Sequence, residues 1–296
     1  MTPAPRPTVL CIGALHWDVL AIADTTLARG DDRPGRCQRR PGGVALNIAL
    51  ALARSARVRP VLLSAVGMDD EGRELLAQLT RCGVDVRQVQ QGRGWRTGRY
   101  LAIEDCQGLV AAVADLGALD AAGPAILAPL ASFSDAPKLV LVDSNPAPSV
   151  LAALPACTDL RVAAASPARV AGLRDWLCTR PLTLYLNLAE AQALLADPAG
   201  LREAPIAARA LVAAGIARAV VTDGPRPVAD AVRDGPTISL QPPALSPRAV
   251  TGAGDAFVAA HLLAEVTLGL DRPAALAHAI AAAASHLQNA LTTHSP

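Results

Sequence analysis

Residues 249–258 read Ala-Val-Thr-Gly-Ala-Gly-Asp-Ala-Phe-Val and run directly into an apolar helical pattern. Gly252 and Gly254, with Ala253 between them, let backbone N–H groups converge on one point, and the following helix adds the positive end of its dipole. Together they can form an anion hole. Asp255 falls in the first turn of that helix, where a carboxylate can take a hydroxyl proton while a phosphoryl group is transferred beside it. The plainer alternative is an acid that stabilises a helix N-terminus by about 0.3–1 kcal/mol.

Two further segments carry polar chemistry. Pro41-Gly-Gly-Val-Ala-Leu-Asn47 also opens a helix. Gly42 and Gly43 permit close approach of backbone to a ligand, and Asn47 offers both a donor and an acceptor to neighbouring hydroxyls, which suits a polyol. An ordinary turn with a capping amide is the alternative. Gly13-Ala-Leu-His-Trp-Asp18 follows the first apolar run, and an acid at the carboxyl edge of a strand can bind sugar hydroxyls in pairs, or simply lie solvated in a loop. His16 has no paired His spacing around it, so it reads as a loop or packing residue rather than a metal ligand. Several other chemistries are excluded. No GxxxxGK[ST] or GxSxG stretch occurs, and Gly92-Arg-Gly94-Trp-Arg-Thr-Gly98 misses the GxGxxG spacing by one residue.

The elements that position these segments follow from the apolar pattern. With 296 residues, 52% of them hydrophobic and 18% charged, the chain can build a sizeable core. Its 27 basic and 26 acidic residues give no broad field for nucleic acid or an anionic membrane. No run of large apolar side chains is long enough to span a bilayer, and the N-terminus lacks a secretory pattern, so the expected location is cytoplasmic. Six cysteines without a CxxC pair fit reduced thiols, most of them as small core fillers.

Short apolar runs at 9–12, 61–66, 139–142, 160–164, 182–186 and 219–222 predict buried strands. They alternate with helical stretches near 44–55, 71–82, 148–154, 168–178, 188–196 and 204–214, and two longer helices close the chain at about 254–267 and 273–289. This rhythm predicts βαβ units and a mostly parallel sheet covered on both faces. Residues 97–114 instead read as an antiparallel hairpin turning at 105–108, and 19–22 as a further extended piece followed by a polar, Arg-rich loop up to Pro41. These strands could form a flap over the sheet's carboxyl edge, where open α/β sheets bind ligands.

Gly42-Gly43-xxx-Asn47, Gly67-Met-Asp69-xx-Gly72, Asn187-xx-Glu190 and Thr251-Gly-Ala-Gly-Asp255 stand in the order and spacing typical of the PfkB/ribokinase-like carbohydrate kinases, which the chain resembles over essentially its whole length. Within that family, Pro41 to Ala49, Thr97-Gly-Arg-Tyr-Leu-Ala-Ile103, Ala114-Asp115-Leu116, Val142-Asp143-Ser-Asn145 and Ser166-xx-Arg169 resemble the pseudouridine kinase subgroup. The resemblance implies a three-layer α/β/α sandwich with a mostly parallel central sheet and a small β-sheet lid. Residues 1–296 would then be one kinase domain with lid strands from about 18–41 and 97–115. The implied reaction moves the γ-phosphoryl group of ATP to the ribose 5′-hydroxyl of pseudouridine, with Mg²⁺.

By position, the resemblance makes Asp255 the catalytic base and the backbone of Gly252, Ala253 and Gly254 the anion hole. Asp18, Gly42, Gly43 and Asn47 would hold the ribose, and Tyr100, Asp115 and Arg169 would reach the base. Asn187 and Glu190 would organise Mg²⁺-bound water and the phosphates, and Thr222 and Gly224 the nucleotide side. Arg169 stands where the subgroup has Lys, a change of donor geometry. Ala249 replaces an Asp that contributes to a monovalent-cation site, and Pro225-Arg-Pro227 follows Gly224 where the family has a second glycine. His278, in the terminal helix, either meets the adenine or packs. Other sugar or nucleoside kinases of the family, and a non-catalytic nucleoside-binding descendant, are the alternatives. A phosphosugar kinase would need cations such as Arg33, Arg36, Arg39 and Arg40. A small-molecule acceptor and a homodimer formed through the lid are the expected partners.

Overall fold

Alternating residues along β1 (Thr8–Ile12) send Leu10 and Ile12 into one core and Val9 and Cys11 into another, which makes this strand part of a sheet covered on both faces. The computed structural model of the protein describes residues 6–133, 139–197, 199–245 and 252–292. After β1 come β2 (His16–Ala23), β3 (Gly35–Gly42), α1 (Val44–Ser55), β4 (Arg59–Leu63), β5 (Ala65–Gly67), α2 (Asp70–Arg81), β6 (Gln90–Gly92), β7 (Gly98–Asp105) and β8 (Gly108–Asp115). Helix α3 (Gly117–Ala122) leads through a 3₁₀ stretch into β9 (Leu139–Asp143), α4 (Pro148–Ala152), β10 (Leu160–Ala163), α5 (Pro167–Ala171) and α6 (Arg174–Leu177). The chain finishes with β11 (Thr183–Asn187), α7 (Leu188–Leu195), α8 (Ala204–Ala213), β12 (Arg218–Asp223), β13 (Arg226–Val232), β14 (Ile238–Leu240), α9 (Ala253–Val266) and α10 (Arg272–Thr292).

The central sheet has the order β14-β13-β12-β11-β10-β9-β1-β4, parallel throughout except where β13 meets β12 and β14. Helices α3 to α8 cover one face, and α1, α2, α9 and α10 the other. This is the expected three-layer sandwich. From β1 the chain steps outward to β4, then returns to β9 on the opposite side of β1 and continues through β10, β11 and β12. The order therefore reverses between β1 and β9, where open α/β sheets leave a crevice beyond their carboxyl ends.

A separate sheet, β3-β2-β7-β8, forms the lid. It contains the expected 97–114 hairpin, but the Arg-rich segment read as a loop is strand β3, paired with β2 along its length. Its residues from Gly35 to Arg40 are all exposed, so no apolar alternation marked it. On β2, the buried Trp17 indole donates to the Glu71 carbonyl of α2 at 3.2 Å, and the Arg39 guanidinium lies 4.0 Å from the ring centroid. Lid and core meet there.

Three other sequence expectations are corrected. The strand predicted over 61–66 divides at Ser64, whose fully buried hydroxyl donates to the Gly13 carbonyl at 2.6 Å, leaving β4 in the central sheet and β5 paired with β6. The helix predicted over 168–178 divides after Gly172, which caps α5. Of the six cysteines, only Cys11 is buried. Cys37, Cys82, Cys106 and Cys178 are exposed and Cys157 is half-buried, so most are not core fillers.

Candidate active site

Helix α9 starts at Gly252, whose φ of 85° lies in the left-handed region and whose missing side chain leaves room for His286. The first N–H groups of an α-helix precede any partner within it. Gly252, Gly254 and Asp255 line a cavity of about 220 Å³ at the carboxyl ends of β10, β11 and β12, and Asn187, Glu190 and Thr222 line it as well. Six residues singled out from distant parts of the sequence thus share one space. Ala253 lies between two of them in the chain. Gly224 occupies the exposed turn between β12 and β13 and is not part of the lining. Ala249 and Thr251 lie outside the described residues.

Asp255 is partly exposed to the cavity, yet loss of hydration lifts its carboxyl to about 7. The Asn47 side-chain amide opposes this by donating to Oδ2 at 2.9 Å, while the charges of Asp143, Asp18 and Glu190 push in the same direction as burial. Asn47, read from the sequence as a ligand for hydroxyls, holds the carboxylate itself. Across the cavity, Asn187 caps α7 by accepting the Glu190 N–H at 2.9 Å, and the Glu190 carboxylate accepts the Asn187 N–H at 2.8 Å. Burial raises the Glu190 carboxyl, opposed by that N–H.

Asp18 and Tyr100 are neighbours in register on β2 and β7 and face the same way. The Asp18 carboxylate lies 3.3 Å from His16 Nδ1 and 3.5 Å from Arg40 Nε. The Tyr100 hydroxyl is raised by burial and by the charges of Asp18 and Glu104. A Cβ on Gly42 would overlap the Asp18 carboxylate, and one on Gly43, where φ is 117°, would overlap the Ala14 carbonyl. These glycines admit neighbouring protein groups, not a ligand alone. Asp115 pairs with Arg99, which places it on the opposite face of the lid from Tyr100, and its carboxylate accepts the Gly117 N–H at 3.0 Å. The Arg169 guanidinium donates to the Asn145 carbonyl at 3.5 Å. His278 is exposed on α10. Each arginine of the cationic cluster has a carboxylate nearby: Arg33 has Asp31, Arg36 has Asp24, Arg39 has Glu74, and Arg40 has Asp18.

Residues 6–296 match the family model described as pfkB family carbohydrate kinase. The chain belongs to that family. A pseudouridine kinase from Escherichia coli (strain K12) is 32% identical over 173 residues, a match covering 58% of this chain and 53% of that protein, so it spans about half of the relative's length. A carbohydrate kinase from Agrobacterium tumefaciens has a solved structure that matches at a TM-score of 0.76, 29% identity, and 95% and 91% coverage of the two chains. An Arabidopsis thaliana ribokinase structure, complexed with ribose and ATP, matches at a TM-score of 0.75 and 20% identity, covering 96% and 93%, which shows the ribokinase-like fold.

In this pfkB-family chain the sequence reading quoted Asp143 within Val142-Asp143-Ser-Asn145 but assigned it no role, though it is fully buried at the end of β9, and it missed a charged network near the amino ends of β10 and β12. There Arg161 binds Asp159, the Tyr185 hydroxyl and Glu265, Arg218 binds Asp230 and Glu265, and Arg272 also binds Asp230. The Tyr185 hydroxyl lies 2.9 Å from Nδ1 of the fully buried His261, whose ring stacks on Phe257. Burial holds His261 down at about 4, so it is neutral. Tyr185 and Phe257 line the cavity. For this network the sequence signal was indirect: isolated charges opening apolar strands.

Proposed function

We propose that this pfkB-family enzyme transfers the γ-phosphoryl group of ATP to the 5′-hydroxyl of a ribonucleoside, pseudouridine, giving pseudouridine 5′-phosphate. The observation that carries the reading is the Asn47–Asp255 pair at the start of α9, a carboxylate tuned close to neutrality in the helix turn whose N–H groups have no partner within the helix. A base with that value accepts a proton readily at physiological pH without being permanently protonated. The substrate hydroxyl gives its proton to Asp255 as its oxygen bonds to the γ-phosphorus. The bond from that phosphorus to the bridging oxygen breaks, and ADP leaves with the electron pair. The N–H groups of Gly252, Ala253 and Gly254 hold the oxygens on which charge gathers.

On the acceptor side, Asp18, Gly42, Gly43 and Asn47 frame the ribose, with Tyr100 and Arg169 toward the base. Asp115 has a weaker claim, since it lies on the other face of the lid. On the nucleotide side, Asn187 and Glu190 meet the phosphates and Thr222 lines the approach, with Gly224 further out. Glu190, beside Asn187, would hold a nucleotide-bound Mg²⁺ through water. Bound there, it would neutralise phosphate charge. The carboxylate beside each of Arg33, Arg36, Arg39 and Arg40 favours a neutral acceptor over a phosphosugar.

We further infer that residues 1–296 act as one kinase domain, that the enzyme is cytoplasmic, in keeping with its free thiols, and that it forms a homodimer through the lid. In support of the dimer, β8 is an edge strand that is exposed along its length and uncharged up to Asp115, and Leu101, Ile103 and Val113 are exposed together on one lid face. Among the described residues no helix is long and apolar enough to cross a membrane. The deciding experiment is turnover of ATP with pseudouridine, uridine, ribose and fructose 6-phosphate offered side by side. Pseudouridine should give the highest kcat/KM; a preference for fructose 6-phosphate would overturn the substrate assignment, and nucleoside binding without turnover would overturn the activity.

A further inference from the structure

Asp143 belongs to none of the surfaces that could touch a substrate, because it is fully buried at the carboxyl end of β9, beside the point where the strand order reverses. Its carboxylate nevertheless collects N–H groups from three separate stretches of chain. Oδ2 accepts from Ala14 at 2.9 Å and from Ala45 at 3.0 Å, and Oδ1 accepts from Asn145 at 2.8 Å. Each donor leads, within a few residues or one contact, to a side chain of the acceptor subsite. Ala14 begins the crossing from β1 to β2, which carries Asp18. Ala45 is in the first turn of α1, which carries Asn47 and through it Asp255. The carbonyl of Asn145 receives Arg169. Helix α1 has no side chain of its own at its cap, since Gly43 occupies that place, so a residue 98 positions later in the chain supplies the capping oxygen.

We propose that Asp143 is the positioning residue of the acceptor subsite, one carboxyl group that fixes Asp18, Asn47 and Arg169 relative to one another without touching the substrate. Both oxygens accept N–H bonds, and together these three bonds tie one side chain to three stretches of backbone. Burial raises its carboxyl, and the N–H groups of Ala14, Asn145 and Ala45 oppose the rise. Among the described residues, Cys11 and Asp255 both feel its charge, and the thiol of Cys11, pushed up to about 12 by burial and by Asp143, stays protonated.

The assignment of this half of the site to the acceptor rests on the proposed function, and the test separates the two. Asp143→Asn keeps the size of the side chain but replaces one acceptor oxygen with an amide that must face an N–H. It should lower kcat about 10²-fold, the scale of a misplacement near 1 Å, and raise the nucleoside KM, while the ATP KM stays within about twofold of wild type. Coupling with Asn47→Ala should be strongly non-additive. Equal losses on the ATP and nucleoside sides, or additive effects, would overturn the proposal. The Asn47 side-chain amide resonances should also move in Asp143→Asn whether or not any nucleoside is turned over. If they move and wild type does not phosphorylate pseudouridine, only the substrate reading fails; if they stay, the positioning role fails. Should Asp143→Asn not fold, Asp143→Ser provides the same comparison, and failing both, a crystal structure of wild type with bound nucleoside decides. Asp143 must then still hold all three N–H groups while Asp18, Asn47 and Arg169 contact the ligand; a ligand bound with any of the three segments released would overturn the proposal.

Discussion

Asp255 and Glu265 sit at opposite ends of α9, both withdrawn from water, and their surroundings differ in sign. Around Asp255 there is one neutral amide and three further carboxylates, and its carboxyl rises to about 7. Burial would raise Glu265 as well, but Arg218 and Arg161 hold it below the ordinary glutamate value. Loss of hydration is common to both ends, so burial alone does not decide what a buried carboxylate is for. The countercharge does. A carboxylate given two guanidiniums is locked into its ionised form and ties a helix to a sheet; one left short of positive charge stays ready to exchange a proton.

Exchanging the reactive end should have the largest effect. Asp255→Asn is expected to lower kcat by about 10²–10⁴-fold, measured as ADP formation at saturating substrates. The same variant inverts the usual cost of mutation. An acid that titrates near 7 when folded, against about 3.9 unfolded, binds its proton more tightly in the native state, so its ionisation costs stability as pH rises across that interval and the cost persists above it. Asp255→Asn should therefore melt higher than wild type at pH 8 and show no such gain below about pH 4. A lower melting temperature at pH 8 would show that the carboxylate is neutralised after all.

At the other end, Glu265→Gln strips charge from a buried network and should cost about 3 kcal/mol of stability, read by denaturant unfolding, with kcat changed only a few-fold. Because Glu265 has a depressed folded value, its contribution is present above about pH 4.3 and is lost as pH falls through the folded value. Wild type and Glu265→Gln should converge in acid. The smallest effect sharpens the contrast from the reactive side. The acid limb of kcat/KM in wild type should fall near pH 7, and Asn47→Ala, by removing the amide that favours the carboxylate, should move that limb upward and lower kcat/KM about tenfold, the worth of one hydrogen bond to a charged group.

What the sequence disclosed depended on whether partners were contiguous. Gly252, Ala253, Gly254 and Asp255 are adjacent, and α9 begins where their pattern says it must. The parallel strands were legible because burial on both faces leaves unbroken apolar runs such as Leu139–Val142. Strand β3 was not, since an exposed edge strand carries no apolar period. The bond between Asn47 and Asp255 joins residues 208 positions apart, and nothing in either neighbourhood announces the other. The role of Asp143, a residue quoted only as part of a motif, stayed hidden for a different reason: it binds backbone N–H groups, which every residue but proline has, so its donors carry no identity in the sequence.

Trp17 gives the molecule an optical gauge. Its indole is gripped by a core carbonyl below and a lid guanidinium above, in a place with almost no water. Any swing of the β2-β3-β7-β8 sheet against α2 must loosen or reset that grip, so with Trp95 and Trp176 replaced by Phe the emission colour of this ring would report such a swing without a dye.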